Sequence, residues 1–176
     1  MLSALFFAWT LSGQALSVST NFADLANRGT MSLEAGYGVS QHWSVNAGVK
    51  YNPFSFGEAP DLRQSRQRSL SAGVRYWPWN VWSGWWAAAA LRWQEYNTGG
   101  FVSPETHEGD RYGGVFRAGY AYRLTPRLNL DVGLGLWGGY DVYTVYACPR
   151  CGRTVADGAD YFFKMSDIIV ALSFIF

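Results

Sequence analysis

Two cysteines three positions apart are the residues of this chain whose types and spacing most directly suggest chemistry. Cys148 and Cys151 lie in the segment YACPRCGRT, a CPxCG knuckle that would present two thiolates on one tight turn. A structural zinc ion is usually held by about four ligands, and the knuckle supplies only two of them. A zinc site would therefore need His107 with carboxylates such as Asp157 or Asp160, or a second copy of the chain.

A second set of reactive residues surrounds the same histidine in the segment FVSPETHEGDR. Ser103, Glu105 and Glu108 lie within a few positions of His107. A nucleophile and a base within hydrogen-bond reach would permit a lipid-modifying hydrolase. Proximity in sequence does not make a triad, because a triad is recognised by its geometry. The hydrolase is therefore kept as the alternative hypothesis, and no catalytic residue is assigned.

The composition limits the classes of protein to which the chain can belong. Charged residues make up 15% of the sequence, against a usual value of about 25%, while aromatic residues make up 18%. The net charge of +1 does not suggest a nucleic-acid partner, because proteins that bind nucleic acids normally show a basic patch. The most apolar run, residues 82–91, is much shorter than the roughly 18 to 20 residues of a membrane helix. Abundant aromatic residues without a long apolar run are typical of a membrane β-barrel.

The elements that would position the reactive residues are strands, because apolar and polar residues alternate along most of the chain. In MSLEAGYGV (31–39) every second residue is apolar, and the residues between them are Ser, Glu and Gly. Such alternation marks strands with one apolar face and one polar face. With a first strand predicted at 16–24, the count is eight, the others lying near 31–39, 43–51, 69–76, 85–94, 112–123, 128–141 and 167–176.

The predicted links between these strands alternate in length. They are short near 40–42, 79–83 and 125–127 and long near 53–67, 98–110 and 147–160, and the link at 25–29 breaks the rule. Short periplasmic turns and long outer loops are typical of bacterial outer-membrane barrels. We therefore predict an all-β fold, an eight-stranded antiparallel transmembrane up-and-down β-barrel in the outer membrane of a Gram-negative bacterium. The long loops would be extracellular and the C-terminus would lie at the periplasmic rim.

Aromatic residues on the apolar face fall near both ends of the predicted strands, as expected for the two membrane interfaces. A soluble eight-stranded ligand-binding barrel is the competing fold, and it would turn its apolar face inward. The alternation of apolar and polar residues does not by itself say which face is inside. The two aromatic rows favour the membrane barrel, because they match its two interfaces. The row near the short turns contains Trp43, Tyr76, Trp85, Tyr122 and Phe176, and the row near the long loops contains Tyr51, Trp93, Tyr112 and Tyr140.

The first fifteen residues, MLSALFFAWTLSGQA, are predicted to be a secretory signal peptide. They contain an apolar stretch from Leu5 to Leu11 and a Gly13-x-Ala15 cleavage pattern. The positively charged start of such signals is missing, so Met1 can lie inside a longer signal. The alternative is an extended apolar first strand. Residues 16–176 would then form a single barrel domain.

The polar face of the predicted barrel carries charges of both signs. An eight-stranded barrel is only wide enough for its side chains to fill, and unpaired buried charge is costly. We therefore predict a salt-bridged plug instead of a conducting pore. The predicted members of this charge network are Glu34, Lys50, Arg75, Arg92, Arg117, Asp131 and Asp141.

The first long loop, GEAPDLRQSRQRS, contains three arginines, Arg63, Arg66 and Arg68. Loops on rigid scaffolds usually carry specificity. We hypothesise that these arginines contact phosphates of lipopolysaccharide, and an ordinary solvated loop is the alternative.

Several segments together resemble the DUF3575 family of small outer-membrane proteins. They are YGVSQHWSVNAGVKYNPFSF, LSAGVRYWPW, WQEYNTGG, the hairpin RAGYAYRLTPRLNLDVGLGLWGGYDVY and the late CPRCG. The resemblance extends from about residue 18 to residue 176. It implies the fold and the outer-membrane location, and it implies no chemistry.

The predicted barrel places the CPxCG knuckle on an outer loop. On an outer loop the thiols would meet an oxidising compartment, where a local Cys148–Cys151 disulfide is favoured over zinc. No cofactor is expected. The chain would be a structural or docking component of an envelope or cell-surface assembly. Its expected partners are outer-membrane lipids including lipopolysaccharide, and a surface lipoprotein or a fibre subunit, with no nucleic acid.

Overall fold

The structure, a computed structural model, describes residues 16–58, 62–101, 103–150 and 152–176. The predicted signal peptide, residues 1–15, lies outside the described residues. None of the helices in the described ranges is long and apolar enough to cross a membrane. The elements are β1 (Leu16–Asn21), α1 (Phe22–Ala26), β2 (Met31–Gly38), β3 (Trp43–Asn52), β4 (Ser55–Phe56), β5 (Arg63–Tyr76), β6 (Gly84–Gly99), β7 (Thr106–Thr125), β8 (Leu128–Tyr146) and β9 (Thr154–Ile175).

The strands form one antiparallel sheet that closes on itself. Its order is β3-β2-β1-β9-β8-β7-β6-β5-β4, and β3 also pairs with β5. Eight strands therefore form the ring, while the two-residue strand β4 adds only to the top of β5. Each of the ring strands pairs with its neighbour in sequence, and β1 pairs with β9. The predicted all-β, eight-stranded antiparallel up-and-down barrel is confirmed.

The two faces of the barrel wall differ in polarity. Leu91, Phe116 and Leu134 point outward and are exposed, and so are most other large apolar side chains of the strands. Their sequence neighbours Arg92 and Arg117 point inward and are buried. Along the middle of the wall, apolar residues therefore cover the outer surface, and charged residues face the interior.

The first strand ends earlier than the sequence predicted. The predicted strand at 16–24 is wrong beyond Asn21, where the chain turns into the single helical turn α1. The side-chain oxygen of Asn21 accepts a hydrogen bond from the Ala23 backbone N–H (3.2 Å), which is the usual way to cap a helix start. Continued alternation would have pointed Asp24 outward, whereas the helical turn points it into the barrel.

About half of each predicted long outer loop is strand. In the segments 98–110 and 147–160, residues 98–99, 106–110 and 154–160 belong to β6, β7 and β9, and residues 100–105 and 147–153 lie between strands. Trp93, Tyr112, Tyr140 and Tyr161 lie opposite one another across β6 to β9, and we call them the outer aromatic row. Beyond this row, residues 94–99, 106–111, 141–146 and 154–160 form what we call the projecting sheet.

Candidate functional site

The middle of the barrel is filled by a network of ion pairs centred on Asp167. Its carboxylate receives Lys50 Nζ at 3.0 Å, a terminal nitrogen of Arg92 at 2.6 Å and Arg117 Nε at 2.9 Å. These three bases come from β3, β6 and β7, none of which is a direct neighbour of β9 in the ring. The three bases and Asp167 all face inward from separate strands, and they therefore meet at one carboxylate.

Glu34 on β2 is the second acid of this network. It accepts from a terminal nitrogen of Arg75 at 2.6 Å and from Arg117 Nη1 at 2.9 Å. Arg117 thus joins Glu34 to Asp167 with two different nitrogens of one guanidinium. The planar guanidinium, with five fixed donors, is well suited to such bridging.

The helical turn α1 contributes a further acid. Asp24 Oδ1 lies 2.7 Å from Lys50 Nζ, so this lysine is held between Asp24 and Asp167. Four acids, Asp24, Glu34, Asp131 and Asp167, therefore share the barrel interior with four bases, Lys50, Arg75, Arg92 and Arg117. Equal numbers of opposite charges reduce the cost of burying them.

Asp131 lies at the lower edge of this network and makes no ion pair with a described residue. The Ser173 hydroxyl donates to its Oδ2, and its Oδ1 is buried without a hydrogen-bond partner. A cavity of about 50 Å³ adjoins it, lined also by Arg75, Arg117 and Asp167. That volume has room for water, which needs about 10 to 15 Å³ and several polar partners.

One end of the interior is closed by tryptophans. Trp77, Trp82 and Trp86 pack together, and the Trp77 indole N–H donates to Ser44 Oγ at 3.1 Å. The Arg75 guanidinium lies 4.2 Å from the centre of the Trp86 ring, which links the tryptophans to the ion pairs by a cation–π contact. All three indoles lie at the rim of the short turns.

A smaller polar cluster closes the other end, beyond the outer aromatic row. Asp141 accepts from the Tyr96 hydroxyl at 2.9 Å and from Arg111 Nε at 2.7 Å. The Arg111 guanidinium also lies 3.8 Å from the Tyr96 ring centre. Burial raises the pKa of the Tyr96 phenol, so this hydroxyl stays protonated and donates.

The seven interior residues predicted from sequence thus fall into three places. Glu34, Lys50, Arg75, Arg92 and Arg117 share the central network, Asp131 lies at its edge, and Asp141 belongs to the separate outer cluster. The sequence prediction missed Asp24, Asp167, Arg111 and Tyr96. Asp167 could have been found, because it alternates with the outward-facing Ile168.

The three arginines proposed to contact lipid phosphates are all exposed at or above the outer rim. Arg68 forms a salt bridge with Glu95, and its guanidinium lies 5.7 Å from the Trp93 ring centre. Arg66 and Arg68 line a shallow cavity of about 300 Å³ that Glu95 and Glu108 also line. Arg63 begins β5 beyond them. Bases and acids are therefore interspersed on this part of the rim.

The knuckle and the histidine segment lie at the same end of two neighbouring strands, because His107 of β7 pairs with Val145 near the end of β8. Cys148 follows β8 and is disulfide-bonded, and no described cysteine is free. Cys151 lies outside the described residues, so its pairing with Cys148 stays a prediction. In the described ranges, no three His, Cys, Asp or Glu side chains are placed to hold a metal.

His107 lies in β7, opposite Thr98 of β6 and Val145 of β8. Its neighbour Glu108 accepts from the Asn97 side chain at 3.2 Å. Among the residues that the structure describes, His107 forms no hydrogen bond with a serine or a carboxylate. The geometry therefore assembles no nucleophile and base from this set.

Comparison with known proteins gives a family and no activity. A search of curated proteins finds no significant match. The model of the family described as "Protein of unknown function (DUF3575)" matches residues 1–176. The match covers the whole barrel, its interior network and its projecting sheet. The chain therefore belongs to the DUF3575 family, as its sequence motifs predicted.

Proposed function

We propose that this protein is an integral barrel of the bacterial outer membrane that is closed to conduction and serves as a docking component of an envelope or cell-surface assembly. The observation that carries the proposal is the polarity of the wall, with apolar side chains outside and paired charges inside. In water such a surface would be an aggregation hazard, whereas in a bilayer it is the expected one.

The aromatic residues support this placement. At the short-turn end, Trp43 stacks near Tyr76 with ring centres 5.0 Å apart, and Trp85 lies 5.2 Å from Tyr120. At the other end the outer aromatic row crosses four strands. Two aromatic bands separated by an aliphatic zone are typical of the interfaces of a membrane barrel.

The interior supports a closed barrel. The tryptophan cluster, the central ion pairs and the Tyr96–Arg111–Asp141 cluster occupy successive levels from one rim to the other. An ion path would have to displace all three. We therefore expect purified protein to show no conductance in a planar bilayer, and stable single-channel currents would contradict the closed state.

The projecting sheet supports the docking role. It rises beyond the outer aromatic row on β6 to β9, and the first part of β5 pairs along its β6 side, whereas β2 and β3 end near that row. A surface lipoprotein or a fibre subunit is the class of partner that we propose for it. Arg63, Arg66 and Arg68 would meanwhile contact lipopolysaccharide phosphates at the rim.

Membrane insertion can be tested by expressing the full chain in a Gram-negative host. We expect it in the outer-membrane fraction, resistant to carbonate extraction, and with faster gel mobility before boiling than after. Recovery in the soluble periplasmic fraction would contradict the proposal.

The arginine contact can be tested by replacing Arg63, Arg66 and Arg68 with glutamine and measuring the lipopolysaccharide that co-purifies with the protein. We expect the amount of lipopolysaccharide to fall. An unchanged amount would contradict the contact.

A further inference from the structure

One side of β9 lacks a strand partner over much of its length. The strand pairs with β8 along nearly all of its residues, but it pairs with β1 only from Ala171 to Ile175. Above that point the Asn21 side chain takes the place of a strand. Its oxygen accepts from Val170 N and its nitrogen donates to Ile168 O, both at 2.9 Å. Beyond Ile168, no described strand pairs with this side, and we call residues 157–165 the free edge.

The backbone groups at the free edge can be assigned from the alternation of the strand. The outward-facing residues Val170 and Phe176 both direct their N–H away from β8, toward β1. Side-chain direction and N–H direction alternate together along a strand. The outward-facing residues Ala159, Tyr161 and Phe163 therefore direct their N–H and C=O groups into the free edge. Such groups form a template for another strand.

The outward side chains at the free edge are apolar, and neither proline nor lysine is among them. Tyr161 is 88% exposed and Phe163 is 76% exposed, the two largest exposures among the described large apolar side chains. Proteins guard such edges with proline, outward lysine, very short strands, bulges or inward-pointing charges. From Ala159 to Met165 the outward positions carry no proline or lysine, and the bulge at Ser166 lies just outside this stretch. The inward positions carry one acid and one base, Asp160 and Lys164.

We propose that the free edge of β9 binds an extended segment of a partner protein as an added antiparallel strand. Its outward side chains are apolar and cover Tyr161 and Phe163. Its inward side chains place a base opposite Asp160 and an acid opposite Lys164. Main-chain hydrogen bonds supply the affinity and the alternate side chains supply the selectivity in this mode of recognition. This inference rests on the proposed docking function and specifies that the partner binds as an extended strand.

A second copy of the chain does not fit the free edge. In one membrane all copies run in the same direction, so an antiparallel pair of β9 strands would turn one barrel upside down. A symmetric parallel pair would need its twofold axis along the strands, and barrel strands are tilted from the membrane normal. The segment after β1 does not fit either, because extending it would point Asp24 outward. The occupant is therefore a strand of another protein.

Two synthetic peptides of identical composition test the inference on the purified full chain in detergent. TVEVTVKVT, in antiparallel register, places its lysine opposite Asp160 and its glutamate opposite Lys164, and TVKVTVEVT reverses these charges. We expect the first to bind at least tenfold more tightly than the second. Binding should slow hydrogen exchange of the Tyr161 and Phe163 amides, which exchange quickly without peptide. Equal binding, or tighter binding of the reversed peptide, would overturn the proposal.

A pair of variants isolates the backbone contribution. Phe163→Pro removes an N–H that faces the free edge and none that faces β8, whereas Phe163→Ala removes the ring and keeps the N–H. We expect the proline variant to bind TVEVTVKVT at least tenfold more weakly than the alanine variant. If the proline variant does not fold, the same loss should follow N-methylation of the peptide valines, whose N–H groups would face β9. Unchanged binding in these comparisons would contradict strand addition.

The natural state of the edge can be read in outer-membrane vesicles. There we expect the Tyr161 and Phe163 amides to be protected from exchange, and purification in detergent should remove the protection. Rapid exchange in the vesicles would mean that no strand covers the edge. Failure of the peptide test with the protein still in the outer-membrane fraction overturns only this inference, whereas recovery in a soluble fraction overturns membrane insertion.

Discussion

The interior and the outer wall of this barrel have opposite chemistry although the same strands form both. On β6, Leu91 is 75% exposed whereas the adjacent Arg92 is 6% exposed and paired with Asp167. A shift of one residue in register would exchange these two environments along the whole strand. The ion pairs therefore have a specific role, because they fix which residues face inward. The apolar wall tolerates many side chains, while each charge of the central network except Asp131 has an oppositely charged partner.

The largest effect is expected from removing the centre of the interior network. Asp167→Ala leaves Lys50, Arg92 and Arg117 without their shared carboxylate. Breaking a buried ion pair by deleting one partner costs about 3 to 5 kcal/mol. We expect a loss of unfolding free energy of that size, measured by urea titration of protein folded into lipid vesicles.

The control for this variant is Asp157→Ala, which removes an exposed carboxylate of the same strand. Its expected change is within about 0.5 kcal/mol. Similar losses for both variants would mean that Asp167 is no centre of stability and that the contrast between interior and surface is wrong.

A smaller effect is expected at the second acid. Glu34→Gln keeps the shape of the side chain but leaves Arg75 and Arg117 with a neutral acceptor, and Arg117 still has Asp167. Hydrogen bonds to charged groups contribute about 1.5 to 3 kcal/mol each. We expect a loss near the lower end of that range in the same titration, and a loss as large as that of Asp167→Ala would show that the two acids act as one unit.

The outer polar cluster should contribute less again. Tyr96→Phe removes only the hydroxyl that donates to Asp141, while Arg111 still holds this carboxylate. The net worth of a single hydrogen bond is about 1 kcal/mol. We expect that loss of unfolding free energy with unchanged gel mobility before boiling. A stability equal to that of the wild type would indicate that water replaces the hydroxyl.

The smallest effect is expected on the surface. Arg68→Gln breaks the salt bridge with Glu95, in which both side chains are largely exposed. Exposed pairs are worth about 0 to 1 kcal/mol. We expect the loss of unfolding free energy to lie within that range. A loss above about 2 kcal/mol would contradict the view that this rim acts in binding and not in folding.

The barrel could be predicted because period-two alternation is strong in seven of the eight strands. The interior could be predicted only in part. Asp24 was missed because a helical turn replaces the end of the first strand, and Asn21 caps that turn from within an alternating pattern. Asp167 alternates with Ile168 and was findable, whereas the bulge at Ser166 shifts the parity of the residues before it, from Met165 backward.

The length of the outer strands could not be predicted for a related reason. Glycines and charged residues in 98–110 and 154–160 are typical of loops, yet cross-strand pairing holds them in tall hairpins. Neither the free edge of β9 nor its missing neighbour has a local sequence signal. Both depend on which strand lies beside which, and only the closed ring shows that β1 is too short to cover β9.

Arginine placed at two depths of one strand can show whether the apolar wall faces lipid. Leu134 lies in the middle of β8, and Val142 lies beyond the outer aromatic row, both outward-facing and exposed. In a bilayer, arginine costs about 2 to 4 kcal/mol at the midplane and about 0 to 1 kcal/mol near an interface. We predict that difference between Leu134→Arg and Val142→Arg in vesicle unfolding titrations. Equally small losses for both variants would show that the wall faces water and would contradict the account.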